Sequence, residues 1–240
     1  MKNGYDRFYG FANIYDEGRP NLPKKAIEIL KQYLKEEIDV IVDIGCGTGN
    51  STIVCTEFAN KVIGIDPSDD MLKKAKEKEN NKLSFHKGFG NKTGLENNIA
   101  DIVICSQAFH WMEPKSTIEE VCRILKKGGI FAVIDADTFP TIDLNIEKFN
   151  SEIQDVIECF DKKQELIIYP RNQHLNNLIK SNQFEYCKEI CFSNEVLYDK
   201  EKFKKYFYSK GGLQSTIKSN YKPVISRLEH FDNILYEVFR

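Results

Sequence analysis

Val42-Asp43-Ile44-Gly45-Cys46-Gly47-Thr48-Gly49-Asn50-Ser51 decides the fold. A short apolar run enters three alternating glycines and leaves in a polar stretch, so the segment reads as strand, turn and helix start. Glycines at such a turn let a ligand approach the backbone, because a Cβ at those positions would take the ligand's space. A nicotinamide dinucleotide fingerprint would place its third glycine at position 50, where this chain has Asn50. The spacing therefore argues against that cofactor.

Working outward, short apolar runs recur at 40–44 (VIVDI), 61–66 (KVIGID), 83–87 (LSFHK), 101–106 (DIVICS) and 130–135 (IFAVID). Most are continuously apolar rather than alternating, which implies burial on both faces, as in parallel strands covered by helices. The class is α/β. Between the runs, Ser68 offers an N-cap before Met71, Leu72 and Ala75, and Ser116-x-x-Glu119 offers a capping box for a helix starting near Pro114 and ending at Lys126-Lys127-Gly128-Gly129. Beyond Asp137 the alternation stops. Helices are expected over 143–165, near Leu175–Ile179 and over 200–208, and strands over 186–197 and 234–239. With no long linker in sight, the chain reads as a single domain over 1–240. Residues 1–37 form an N-terminal cover, 38–137 the ligand-binding core, and 138–240 the substrate cover and closing strands.

Two carboxylates give the turn its chemistry. Asp66 ends the second run, 21 residues after Gly45, where an acceptor reaches the two hydroxyls of an adenosine ribose. Asp43 lies beneath the turn, where it would repel a pyrophosphate and suit an amino group or a sulfonium.

Composition narrows the field further. The chain has 240 residues, 41% apolar, enough for one sizeable core, and 34 basic against 36 acidic side chains leave a formal charge of −2. Only six of the basic residues are Arg, the side chain suited to bidentate phosphate and guanine contacts, so nucleic acid is a disfavoured partner. Seven cysteines without a C-x-x-C pair read as reduced thiols. With no apolar leader and no membrane-length run, the expected location is the cytoplasm.

In VDIGCGTGNST (42–52), VIGIDPSDDML (62–72), ADIVICSQAFHWMEP (100–114) and ILKKGGIFAVID (124–135), the chain resembles the class I S-adenosylmethionine-dependent methyltransferases. It is similar to the small-molecule branch of trans-aconitate and ubiquinone/menaquinone-pathway enzymes, over roughly residues 10–137. The resemblance implies a Rossmann-like seven-stranded sheet of order 3-2-1-4-5-7-6, its last strand antiparallel, with helices on both faces and a helical cover. It also implies S-adenosylmethionine as cofactor and S-adenosylhomocysteine as product. By position, Asp43, Gly45, Gly47 and Gly49 would hold the methionine part and Asp66 the ribose. Met71, Gly88 and Phe89 would lie by the adenine, and Ser106 on the cofactor side of the fourth strand. Phe89 departs from the family, which usually reads Gly-Asp-Ala where this chain reads Gly88-Phe89-Gly90. Arg19, in a segment like the family's Tyr-x-x-x-Arg-Pro, would pair with the methionine carboxylate. It is equally readable as a surface Arg before a helix.

The methyl acceptor is expected to be a small molecule, met by side chains after the fourth strand and by the tail. His110 is the candidate general base, though a lone His after a strand also serves for packing. Trp111 walls the pocket or fills the core, and Phe139 and Arg171 are candidate lining groups, Arg171 pointing to an anionic acceptor. No metal and no covalent nucleophile are expected, since the sequence shows no ligand spacing for either. Two other functions share these motifs: a cofactor-binding regulatory module without catalysis, and an RNA methyltransferase.

Overall fold

The computed structural model describes residues 7–136 and 143–239. These fall into two compact units, one comprising 20–136 with 168–195 and the other, in its described part, 7–19, 143–167 and 196–239.

The first unit is built on five parallel strands in the order β3-β2-β1-β4-β5: β1 Ile38–Ile44, β2 Ala59–Asp66, β3 Leu83–Lys87, β4 Ala100–Ser106 and β5 Leu125–Ile134. The apolar runs of β1, β2 and β4 are buried on both faces, while β3 and β5, at the edges of the sheet, are more open. Ile41, Val62, Ile102 and Ile104 pack on one side with Ile27, Leu72 and Phe85. Val40, Val42, Ile63, Ile65, Val103 and Cys105 pack on the other with Phe109, Ile118 and Val121. A strand whose two faces both meet helices needs apolar residues at odd and even positions alike, and this is why the runs are continuous. All five expected strands are present in the expected order.

Helix starts follow local chemistry. Ser68 caps Asp69–Ala75, accepting from the Met71 N–H at 3.4 Å. The helix Pro114–Ile124 is capped by Glu113 instead of by the expected Ser116 box: Glu113 accepts from the N–H groups of Lys115 (3.0 Å) and Ser116 (2.7 Å). Pro114 at the first position, with no N–H to satisfy, sets the register one turn earlier than Ser116 would. The helix also ends earlier than expected, and Lys126–Gly129 are carried as an irregularity inside β5, where the pairing shifts register between Ala100 and Ile102.

The second unit is helical. In Leu144–Lys163 the residues Ile146, Phe149, Ile153, Ile157 and Phe160 are buried, one face at helical spacing. Ile146, Phe149, Ile153 and Ile157 share a core with Phe203, Tyr206 and Phe207 of the helix Lys200–Tyr208, and with Leu213, Val224, Phe231 and Leu235. Arg7 Nη2 donates to both oxygens of Asp161, at 2.7 and 2.8 Å, within the same unit.

The sixth and seventh strands are the correction. Among the described residues the sheet has five strands and ends at β5. Residues 186–197 carry no strand pairing, and Tyr186 and Leu197 are exposed. The expected strand at 234–239 lies instead in the helix Phe231–Val238 and its cap. Phe231 and Leu235 are buried while Ile234, Val238 and Phe239 pack beside them. Those five positions recur at i, i+3, i+4, i+7 and i+8, a helical stripe that a window opening at 234 cuts in half.

Candidate functional site

The turn between β1 and the helix Asn50–Cys55 is tied to the end of β2. Gly45 and Cys46 both donate to the Ile65 carbonyl, at 2.7 and 3.1 Å, and the Gly47 N–H donates to Asp66 Oδ2 at 2.9 Å. Lys78 Nζ clamps the far side, donating to the Thr48 carbonyl (2.7 Å) and Asn50 Oδ1 (2.8 Å). The glycines are required by the protein itself before any ligand arrives. Gly45 has φ +78°, and a Cβ there would lie 2.5 Å from Ala108 Cβ. Gly49 has φ +84°, and its Cβ would lie 2.6 Å from Phe85 Cζ. This differs from the sequence reading, in which the added Cβ atoms compete with ligand; at these two positions they meet side chains of β3 and the turn after β4.

Asp66 Oδ1 accepts from the Ser68 N–H at 2.8 Å, so each of its oxygens holds one backbone donor and keeps a second acceptor site. Burial nevertheless pushes its pKa up to about 6, outweighing the two hydrogen bonds. Asp43 is fully buried, and Thr52 Oγ1 donates to its Oδ2 at 2.7 Å. Its Oδ1 makes no hydrogen bond. Burial raises this carboxyl to about 7 against the Thr52 bond, with Asp66 adding to the rise. A carboxylate so placed acts on a ligand through the turn above it, by its field, and favours a positive group there. Cys46 is buried in the turn, and desolvation followed by the two aspartates pushes its thiol well up, which leaves it inert as a nucleophile.

Around this centre the structure collects most of the expected residues. Met71 is buried, and its helix begins three residues beyond Asp66. The Gly88 N–H donates to the Asp66 carbonyl at 3.2 Å. Phe89 and Lys92 exchange backbone hydrogen bonds at 3.1 and 3.0 Å in a tight turn that leaves the Phe89 ring 43% exposed. Thr93 anchors that turn, giving its N–H (2.8 Å) and hydroxyl (2.5 Å) to Glu120. The Arg123 hydrogen bond, joined by those from Thr93, holds Glu120 down at about 2. After β4, Ser106 accepts from Ser51 Oγ at 3.0 Å.

Gln107 stands at φ +54°, a left-handed conformation uncommon outside glycine. Its N–H donates to the Ile134 carbonyl at 2.9 Å, binding the ends of β4 and β5 together. The chain then turns through Phe109–Trp111, where His110 is 7% exposed with its ring centroid 4.8 Å from that of Trp111. Tyr169 donates its N–H to the His110 carbonyl at 2.9 Å. Arg171 is not a lone cation: its Nε lies 3.7 Å from Asp135 Oδ1 and its Nη1 donates to the Ala136 carbonyl at 3.4 Å.

Arg19 belongs to the helical unit, where its guanidinium lies over the rings of Tyr15 (5.2 Å) and Tyr206 (6.0 Å). Phe139 lies outside the described residues. The sequence reading also missed Thr52, Lys78, Asp135 and His174. Thr52 sits inside the quoted glycine motif and carried a signal, whereas His174 arrives from a distant helix and carried none.

Residues 42–133 match a protein family described as a methyltransferase domain. The Saccharomyces cerevisiae protein "Probable S-adenosylmethionine-dependent methyltransferase CRG1" is 36% identical over 125 residues, covering 49% of this chain and 43% of that protein. "Uncharacterized methyltransferase Mb3374" of Mycobacterium bovis is 32% identical over 127 residues, covering 53% and 51%. The chain thus spans about half the length of the curated relatives it matches. Among solved structures, "The Structure of a Putative Type II Methyltransferase from Anaeromyxobacter dehalogenans" aligns with TM-score 0.64 over 92% of both chains at 16% identity. That likeness speaks for the fold alone.

Proposed function

We propose, from the premise that residues 42–133 are an S-adenosylmethionine-dependent methyltransferase domain, that this chain methylates a small molecule by in-line transfer. The observation that carries the reading is the junction of Asp66 with the Gly47 N–H at 2.9 Å, which sets a diol acceptor against a glycine turn. Bound S-adenosylmethionine supplies an electrophilic methyl on a sulfonium, and S-adenosylhomocysteine is its product. Asp66 then accepts from the ribose hydroxyls. The Gly45–Gly49 turn, with Asp43 beneath it, receives the amino-acid portion, and the unpaired Asp43 Oδ1 fits a positive group nearby. Met71, Gly88 and Phe89 flank the base, and Ser106 faces the cofactor from the end of β4.

In-line transfer asks the protein mainly for position. Holding the acceptor at near-attack distance supplies on the order of 7–11 kcal/mol in the best intramolecular cases. His110 takes the acceptor proton where the acceptor carries one, and Trp111 walls the acceptor. Arg171, in the segment 168–195 of the sheet unit, selects the acceptor. Among the described residues no helix is long and apolar enough to cross a membrane. The seven unpaired cysteines support a reducing compartment such as the cytoplasm.

Calorimetric titration with S-adenosylhomocysteine tests the cofactor half of this reading. A screen of small-molecule acceptors, read as S-adenosylhomocysteine formed, tests the catalytic half. Saturable binding with turnover of at least one acceptor is expected; absence of binding at millimolar cofactor removes the proposal.

A further inference from the structure

Three ligand-bearing side chains converge where β4 and β5 end, and methyl transfer as derived above uses only one of them. His110 lies in the turn Phe109–Trp111, Asp135 directly follows β5, and His174 opens the helix His174–Ser181. One ligand atom from each lies within 4.8 Å of the other two. Both imidazoles are buried, at 7% and 6% exposure.

His174 carries the argument. Neither of its ring nitrogens makes a hydrogen bond, although Nε2 stands 3.4 Å from Asp135 Oδ2. A buried polar ring without hydrogen bonds has lost its water and gained little in return. The ring of Phe109 meets it edge-on at 5.1 Å and fixes its plane. The two oxygens of Asp135 are divided: Oδ1 faces Arg171 at 3.7 Å and Oδ2 faces His174.

We propose that His110, Asp135 and His174 form a binding site for a divalent first-row transition-metal ion. Two imidazoles and one carboxylate suit such an ion and not magnesium or calcium, which take oxygen ligands. Ligand bonds of about 2.0–2.2 Å place donor atoms roughly 3 Å apart, so closing the site needs only small side-chain rotations from a separation within 4.8 Å. Arg171 stays on Oδ1 while Oδ2 turns to the ion. Three protein ligands leave positions open, and the open positions define the acceptor class as molecules with an oxygen or nitrogen donor able to reach the ion. That last step rests on the proposed function; ion binding does not.

The test is titration of Co²⁺ into the chelator-treated full chain, read by calorimetry and by visible ligand-field bands, with S-adenosylhomocysteine binding measured on the same samples without metal. We expect one Co²⁺ per chain, no thiolate-to-cobalt charge transfer, and at least a tenfold loss of Co²⁺ affinity in both His174→Gln and Asp135→Asn, with S-adenosylhomocysteine binding retained. Should His174→Gln fail to fold, Asp135→Asn decides alone. Absence of saturable Co²⁺ binding, equal affinity in the folded variants, or a thiolate charge-transfer band overturns the site. Co²⁺ binding of the expected kind in a chain that ignores S-adenosylhomocysteine upholds the site and removes the methyl-transfer reading.

Discussion

The Gly47 N–H donates to Asp66 Oδ2 at 2.9 Å, so the turn after β1 and the acid ending β2 are held as one unit before ligand binds. Preorganisation of this kind lowers the cost of forming the site on binding. Replacing Asp66 by Ala removes two acceptors, and hydrogen bonds to a charged group contribute about 1.5–3 kcal/mol each. Asp66→Ala is expected to weaken S-adenosylhomocysteine binding by about a hundredfold or more by calorimetry. Asp66→Asn should fall nearly as far, because its NH₂ must face either the Gly47 or the Ser68 N–H. Wild-type affinity in either variant would detach Asp66 from the ribose.

The buried aspartates predict opposite pH trends for stability and for binding. Asp43 and Asp66 have pKa values raised to about 7 and about 6, so the folded chain holds their protons more tightly than the unfolded chain does. Their contribution to stability is full below the unfolded carboxylate value near 4 and is lost as pH rises through 6 to 7. The melting temperature of the cofactor-free chain should therefore fall between pH 5 and pH 8. Cofactor affinity should rise over the same interval, since a cation above the turn favours ionised Asp43. Thr52→Val, which removes the 2.7 Å bond to Asp43, should move the binding midpoint to higher pH. A flat affinity profile across this range would dissociate Asp43 from the ligand's charge.

Gly49 is fixed by two independent constraints. Its φ of +84° strains any L side chain, and a Cβ would stand 2.6 Å from Phe85. The left-handed penalty is roughly 1–2 kcal/mol and overpacking adds roughly 1–3 kcal/mol. Gly49→Ala should therefore lose about 2–5 kcal/mol in a urea denaturation, whether or not cofactor is present. A loss confined to cofactor affinity would restore the simpler view that this glycine exists to admit ligand.

What could be read from the chain divides by the range of the interactions involved. β1, β2 and β4 were legible because burial on both faces writes itself as nearly continuous apolar runs, and the contacts of Asp66 because its partners Gly47 and Ser68 belong to neighbouring motifs. The terminal helix was misread because Phe231, three residues before the window, completes the stripe that makes 234–239 helical. Residues 186–197 show the converse: apolar residues in a polar segment do not by themselves make a strand, and none of these pairs with the sheet. The meeting of Asp135 with His174 was invisible for a third reason, since it depends on where the helix His174–Ser181 is laid against the sheet. No local period encodes that placement.

Phe89 offers a test in the direction of gain. The turn that carries it is pinned by the paired backbone of Phe89 and Lys92 and by Glu120 on Thr93, so a new side chain at 89 starts from a fixed base. Phe89 is 43% exposed, so its removal also gives up the covered part of the ring, a loss that a second variant must measure. If the turn borders the adenine, Phe89→Asp places a carboxylate by the exocyclic amino group, a hydrogen bond that contributes about 1 kcal/mol net, or about fivefold in affinity. Calorimetry should show S-adenosylhomocysteine binding roughly fivefold tighter in Phe89→Asp. Phe89→Ala separates this gain from simple removal of the ring: it should leave affinity the same or weaker. Equal affinity in the Asp and Ala variants would place the adenine away from residues 88–90 and send the search for its contacts to Met71 and its helix.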